Sequence, residues 1–321
     1  MKRAVVTGAS GFVGANLARR LLAEGHQVHL LLRPEYARWR LQPFCDEVQI
    51  HEVDLHDAEG LARTISLIRP EWAFHLAAYG AYPQQTDLAR MIATNISATG
   101  HLVEACLAAD CEAFVHAGSS SEYGLVDHAP AEGEAIDPNS HYAWTKAAAT
   151  HLCRHIARDR DAHLTVLRLY SAYGPYETPT RLLPTLIHQG LRGQLPPLVN
   201  PDIARDFVFV EDVCEAFLLA AAHPQSERGA VYNVGSGVQT TLREIVDLAR
   251  RRLDIAAEPA WGSMGDRHWD TEVWVADAEK ITRELGWRPR YTLAEGFDRT
   301  VKWFIDHADQ LPNSTEPDRT L

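Results

Sequence analysis

The sequence is poor in the residues that would mark a secreted, metal-binding or membrane protein. Its five cysteines, at positions 45, 106, 111, 153 and 214, are an odd and scattered set. They make no disulfide framework and match no zinc-ligand spacing. His151 and His155 lie one helical turn apart, but Cys153 between them points to another face and no further ligand is evident, so no metal site is expected. No lysine or arginine block occurs, and the formal net charge is −12. That field excludes nucleic acid and anionic membrane as natural partners. No apolar run approaches the ~20 residues of a membrane span. The opening "MKRAVVTGAS" starts a strand at once, so neither export nor insertion is expected and a reducing cytoplasm fits.

What the sequence does have is apolar content of 46% over 321 residues. That is enough for one large α/β core with an added lobe. Short apolar runs ("AVVTG", "QVHLLLR", "WAFHLAA", "AFVHAGSS", "LTVLRLY") alternate with helical stretches, the pattern of a parallel sheet wrapped by helices. The spacing predicts a Rossmann-like, doubly wound nucleotide-binding domain over residues 1–173. Prolines in "YGPYETPTRLLPTL" and "GQLPPLVNPD" then change the rhythm. Residues 174–321 are read as a smaller C-terminal α/β substrate lobe. The reading is interleaved: about 203–233 is expected to return to the main sheet, and the polar tail 310–321 to fray. No internal repeat is found.

"AVVTGASGFVGANLARRLL" sets Gly8, Gly11 and Gly14 between an apolar strand and an amphipathic helix. Glycines let the backbone approach a pyrophosphate, and the helix N-terminus offers it unpaired N–H groups. Ser10, Phe12 and Val13 fill out the loop. The second strand ends without an acidic residue, at Arg33, where an NAD site would place a carboxylate on the ribose hydroxyls. A guanidinium there suits the extra phosphate of NADP, with Ser10 as a further donor; NAD remains the alternative. Asp54 and Leu55, late in the third strand, are candidates to flank the adenine. "HYAWTKAAATH" places Tyr142 and Lys146 one helical turn apart on one face.

With "TGASGFVG", "HLAA" at 75–78, "GSSSEYG" at 118–124 and "YAWTK" at 142–146 in this order, the chain resembles the extended short-chain dehydrogenase/reductase family. The second half, with "RDFVFVED", "VYNVGSG", "GDRHWDTEVWVAD" and "LGWRPRYTLAEGF", is similar to its nucleotide-sugar epimerase, dehydratase and 4-ketoreductase branch. The resemblance implies Leu76, Ala77, Ala78 and Tyr170 at the cofactor, beside Tyr142 and Lys146. It implies catalysis by Ser119, Tyr142 and Lys146, with Ser119 found by counting back four residues from the tyrosine of "EYG". Asn95 would shape the site. Ser119, Ser120 and Ser171 would meet the sugar, and Arg205 and Arg267 the diphosphate, which a planar guanidinium fork binds two oxygens at a time. A homodimer through a helix pair is common in such proteins.

The residue types support this chemistry on their own. Hydride transfer at a sugar carbon must be matched by proton transfer at its oxygen. A phenol does this when its pKa, ~10 in isolation, is brought toward neutrality, a task for Lys146 and an oxidised nicotinamide. Two departures bear on the reaction. The 4,6-dehydratases carry an acidic pair after the catalytic hydroxyl, where Ser120 and Ser121 stand here. The 4-epimerases end the following strand with asparagine, where Ser171 stands. The expected activity is therefore reduction of a 4-keto group on a nucleoside-diphosphate sugar. A 4-epimerase with tightly held NAD is the alternative, and a non-catalytic NADP sensor a remote one.

Overall fold

The computed structural model of the chain describes residues 1–224, 227–265 and 271–308. The strands are β1 (Arg3–Thr7), β2 (Gln27–Leu32), β3 (Gln49–Glu52), β4 (Trp72–His75), β5 (Ala113–Ser119), β6 (Leu164–Leu169), β7 (Ser171–Tyr173), β8 (Ala204–Phe209), β9 (Ala230–Val234) and β10 (Gln239–Thr241). The helices are α1 (Phe12–Ala23), α2 (Ala58–Ile68), α3 (Leu88–Ile92), α4 (Ala98–Ala108), α5 (His141–Asp159), α6 (Leu182–Gly190), α7 (Val210–Ala222), α8 (Leu242–Leu253), α9 (Glu279–Leu285) and α10 (Leu293–Asp306). No helix among the described residues is long and apolar enough to cross a membrane.

Seven parallel strands in the order β3-β2-β1-β4-β5-β6-β9 form the main sheet. Its strands are apolar on both faces because helices cover both. Side chains alternate accordingly along β1: Ala4 and Val6 join one core with Leu17, Phe74 and Phe217, while Val5 joins the other with Leu61, Leu102 and Phe114. The order reverses direction between β1 and β4, and the crevice there is where such sheets take ligands.

The chain leaves this sheet after Leu169. β7 already pairs with β8, and β10 completes a three-stranded sheet in the order β10-β8-β7. The small sheet thus begins a few residues before the 173/174 boundary drawn from the prolines. Within 203–233, β8 belongs to the small sheet and β9 to the large one. A third core, with Tyr173, Leu186, Phe209, Ile245 and Phe297, sits under the small sheet. Trp287 ties this region back: it is 1% exposed and its Nε1 donates to the Asp212 carbonyl on α7 at 2.8 Å. Residues 310–321 and Arg267 fall outside the described residues.

Close approach at the crevice rests on glycine. A Cβ on Gly14 would lie 2.3 Å from the Gly8 carbonyl oxygen and 2.9 Å from Ala9 Cα. Both are backbone atoms that cannot swing aside. Gly14→Ala should cost about 1–3 kcal/mol and push α1 off the loop. Thermal melts should show the lower stability, and a dinucleotide titration the weaker binding.

Candidate functional site

The loop after β1 and the loop after β4 are stitched together. Thr7 Oγ1 accepts the N–H groups of Leu76 and Ala77, each at 3.2 Å, and lies 2.7 Å from His75 Nδ1. Gly8 adopts φ +68°, and a Cβ there would meet Ala77 N at 2.6 Å, so only glycine admits this contact. Gly11 caps α1 with no side-chain hydrogen bond and no acidic residue follows in the first turn, whereas Asp57 and Ser140 cap α2 and α5. The first-turn N–H groups of α1, at Phe12 and Val13, are thereby left without a side-chain cap, next to the backbone cradle that Gly8 and Gly11 form. The cradle fits a dinucleotide pyrophosphate. Leu76 and Ala77 are partly exposed beside it, and Ala78 is exposed.

Three other members of the expected cofactor set follow β2 and β3. Arg33 follows the last residue of β2 and is partly exposed. β3 ends at Glu52, so Asp54 and Leu55 lie in the turn after the strand rather than late within it. The reason is local. The Asp54 carbonyl accepts Asp57 N–H at 3.0 Å and its carboxylate accepts His56 N–H at 2.9 Å, which folds the chain into a turn toward α2.

Sequence reasoning missed Arg40, which no local signal marks. It is 1% exposed. Its NH1 donates to the Ser10 carbonyl at 3.0 Å, its Nε to the Tyr176 carbonyl at 2.8 Å and its NH2 to Thr178 Oγ1 at 3.0 Å. It bolts the glycine loop to the segment before α6. In that segment Glu177 is buried with Oε2 lacking a partner, and burial pushes its carboxyl up to about 8 against the opposing charges of Arg181 and Arg40.

Tyr142 and Lys146 start α5, whose N-cap is the Ser140 hydroxyl accepting Ala143 N–H at 3.2 Å. Ser119 ends β5, the neighbouring strand of the crevice. Its hydroxyl is near enough to the Tyr142 phenol to lower that group's pKa, and it lies 2.7 Å from Ser121 Oγ. The structure thus brings Ser119, Tyr142 and Lys146 into one place. Within the protein alone, the balance on the phenol runs upward. Burial pushes it up to about 12; the Ser119 hydroxyl and the Arg181 charge work the other way, and Glu122 adds to the rise. Lys146 is 2% exposed, with Nζ 3.3 Å from His116 Nε2, and burial lowers it to about 8. Its charge presses on His116 and His75, whose burial already keeps them neutral.

Asn95 lies in a π-helical turn, Ala93–Ser97, a distortion frequent at functional sites. It exchanges hydrogen bonds with both backbone groups of Tyr79 at 2.8 Å and donates to Thr145 Oγ1 at 2.9 Å. It therefore couples the loop after β4 to α5. Ser120 is buried, and it lines a small cavity with Tyr123, Val126, Tyr170, Val273 and Trp274. Ser171 opens β7, paired with Phe207. Arg205, on β8, is partly exposed and sets its guanidinium 5.3 Å from the Trp274 ring centroid. The neighbouring Asp206 is wholly buried and spent on the N–H groups of Ser236, Gly237 and Ala276.

Residues 4–235 match the NAD dependent epimerase/dehydratase family. The dTDP-glucose 4,6-dehydratase of Streptomyces griseus is 29% identical, with 94% of each chain covered. A UDP-glucose 4-epimerase from Thermotoga maritima, solved with UDP-glucose, superposes with TM-score 0.87 at 28% identity over 95% of this chain and 99% of that one. MoeE5, solved with UDP-glucuronic acid and NAD, gives TM-score 0.82 at 31% identity, again over 95% and 99%.

Glu177 yields a pH prediction. Its folded value of about 8 lies above its ordinary 4.5. Between those values the folded protein holds a proton that the unfolded chain releases, so stability falls as pH rises through the window. Glu177→Gln should flatten this loss, leaving melting temperature near that of the parent at acid pH and above it beyond about pH 8. Parallel pH-dependent melts check the sign.

Proposed function

Because the chain belongs to the NAD dependent epimerase/dehydratase family, we propose that it is an enzyme acting at C4 of a nucleoside-diphosphate sugar, reducing a 4-keto group with NADPH. The observation that carries this reading is the constellation at the end of β5. Ser119 stands beside Tyr142, and Ser120 and Ser121 stand where elimination of water would need carboxylates. Glu122, the next residue, accepts from Arg168 at 2.9 Å and is wholly buried. It cannot swing out to replace them.

Each residue has a role in this scheme. Gly8, Ser10, Gly11, Phe12, Val13 and Gly14 hold the pyrophosphate; Leu76, Ala77, Ala78 and Tyr170 line the way to the nicotinamide; Asp54 and Leu55 flank the adenine. Arg33 meets the 2′-phosphate. Arg205 and Arg267 take the diphosphate of the substrate, and Ser120 and Ser171 border the sugar. When bound, the cofactor supplies the hydride that adds to C4. Ser119 orients the carbonyl oxygen by donating to it, and Tyr142 gives its proton to that oxygen as the bond to C4 becomes single. A phenol held near 12 arrives protonated at any working pH, which suits donation. Lys146, ammonium at neutral pH, steadies the phenolate left behind.

A second reading is a 4-epimerase with tightly held NAD, favoured by the likeness to the Thermotoga maritima enzyme. It asks Tyr142 to begin as a base, with Lys146 and the oxidised nicotinamide lowering its pKa. It also gives Arg33 no phosphate to bind. We place the protein in the cytoplasm and leave a homodimer as the expected assembly.

Tyr142→Phe keeps the ring and removes the proton. Turnover of a nucleoside-diphosphate 4-keto sugar should fall roughly 10²–10⁴-fold while dinucleotide affinity stays near the parent's. A variant that remained active would remove Tyr142 from the acid role.

Cofactor choice is tested at Arg33. A charge-assisted contact to phosphate is typically worth ~1.5–3 kcal/mol, so Arg33→Ala should weaken NADP about ten- to a hundredfold and leave NAD nearly unchanged. The loss should shrink at high salt. Equal titrations of parent and variant with both dinucleotides would make Arg33 a bystander.

A further inference from the structure

Three elements of the site meet on one carboxylate. Glu122 is 0% exposed. Its Oε1 accepts the N–H of Ser119, at the end of β5, at 2.8 Å, and the hydroxyl of Thr150, two turns beyond Tyr142 on α5, at 3.0 Å. Its Oε2 accepts Arg168 Nε, on β6, at 2.9 Å. The clamp is itself braced. Arg168 NH1 reaches the Glu132 carbonyl at 3.4 Å, and its guanidinium lies 4.4 Å from the Tyr123 ring centroid. The Tyr123 hydroxyl donates to Asn233 Oδ1 at 2.7 Å, and Asn233 N–H donates to Glu132 Oε1 at 2.9 Å.

Such a buried pair costs more desolvation than it returns in stability unless every oxygen is satisfied. Here both are, and the partners that satisfy them carry the catalytic hydroxyl and the catalytic helix. The charge also reaches the reacting groups. Around the phenol stand Ser119, Glu122, Arg181 from the segment before α6, and Tyr82 from the loop after β4. Around Lys146 stand His116 on β5, His75 on β4, Cys153 on α5 and again Glu122.

We propose that Glu122 is a positioning residue for the Ser119, Tyr142 and Lys146 set, fixing the hydroxyl against the phenol and biasing the site toward proton donation. The inference rests on the reductase reading for its catalytic consequence. The bias has a stated origin: a fixed negative charge disfavours phenolate and favours ammonium, so Tyr142 stays the donor and Lys146 the counter-charge.

Two variants separate charge from contact. Glu122→Gln keeps the shape and an acceptor oxygen but removes the charge; Thr150→Val keeps the charge and cuts the tie to α5. Each is also made with Tyr142→Phe, so that the difference in tyrosinate absorbance isolates the Tyr142 titration without substrate or cofactor. Glu122→Gln should let the phenol ionise roughly one pH unit lower. Thr150→Val should lower kcat about tenfold with KM for the sugar unchanged, the mark of lost alignment rather than lost binding.

If Glu122→Gln does not fold, because Arg168 is left as a lone buried charge, the Glu122→Gln/Arg168→Gln pair is titrated instead, with a smaller shift in the same direction expected. An unmoved phenol titration in the folded variant overturns the charge role. Parent-like turnover in Thr150→Val overturns the positioning role. A shifted phenol in a protein that reduces no 4-keto sugar would retire the reductase reading and leave the effect of Glu122 on Tyr142 standing.

Discussion

The site depends on one geometric constraint, the order of the parallel sheet. Because β1, β4, β5 and β6 lie side by side and run the same way, their C-terminal ends share one edge. The glycine loop, the Leu76 to Ala78 turn, Ser119 and Tyr170 all hang from that edge. Reversing one strand would scatter them. The crevice between β1 and β4 stays open because consecutive crossovers leave it in opposite directions. Thr7 closes its floor by accepting from Leu76 and Ala77, so the two loops cannot separate without breaking both bonds.

Within that frame the chemistry is a matter of charge placement. Lys146, Arg168 and Glu122 bring two cations and one anion into the interior around the phenol. The anion holds one cation directly, at 2.9 Å, and acts on the other through space. The histidines beside Lys146 stay neutral because burial and the nearby ammonium both disfavour protonation. Thr7, His75 and Thr99 then form a buried hydrogen-bonded line, at 2.7 and 2.8 Å, that ends on the Asn95 carbonyl. Asn95 in turn holds Thr145, beside Lys146. The floor of the crevice between β1 and β4 and helix α5 are thus one polar network.

Much of this was legible in the sequence, for identifiable reasons. Glycine spacing and apolar alternation report backbone constraints directly, so β1, the loop and α1 could be read residue by residue. Tyr142 and Lys146 were readable because helical spacing fixes their relation. Ser119 came from the family resemblance, counted back from Tyr123 as its motif does. Arg40 was not readable, because its three carbonyl and hydroxyl partners come from parts of the chain up to 138 residues away. The reach of Lys146 toward His116 was missed for the same reason, since spacing on one helix says nothing about the neighbouring strand. Glu122 left a signal that went unused: Ser119 and Glu122 stand three apart before a turn, the pattern of a capping box, which the structure forms. The exchange of β8 to the small sheet depended on pairings that alternation alone does not specify.

The central claim is that Tyr142 serves as a proton donor in a net reduction. It is tested most directly by the stoichiometry of the dinucleotide. The protein is incubated with a nucleoside-diphosphate 4-keto sugar and added NADPH, and both are followed to completion. The account predicts one NADPH consumed for each keto sugar reduced, and no turnover of the matching 4-hydroxy sugars without added dinucleotide. Interconversion of 4-hydroxy epimers with added NADPH left untouched would contradict it.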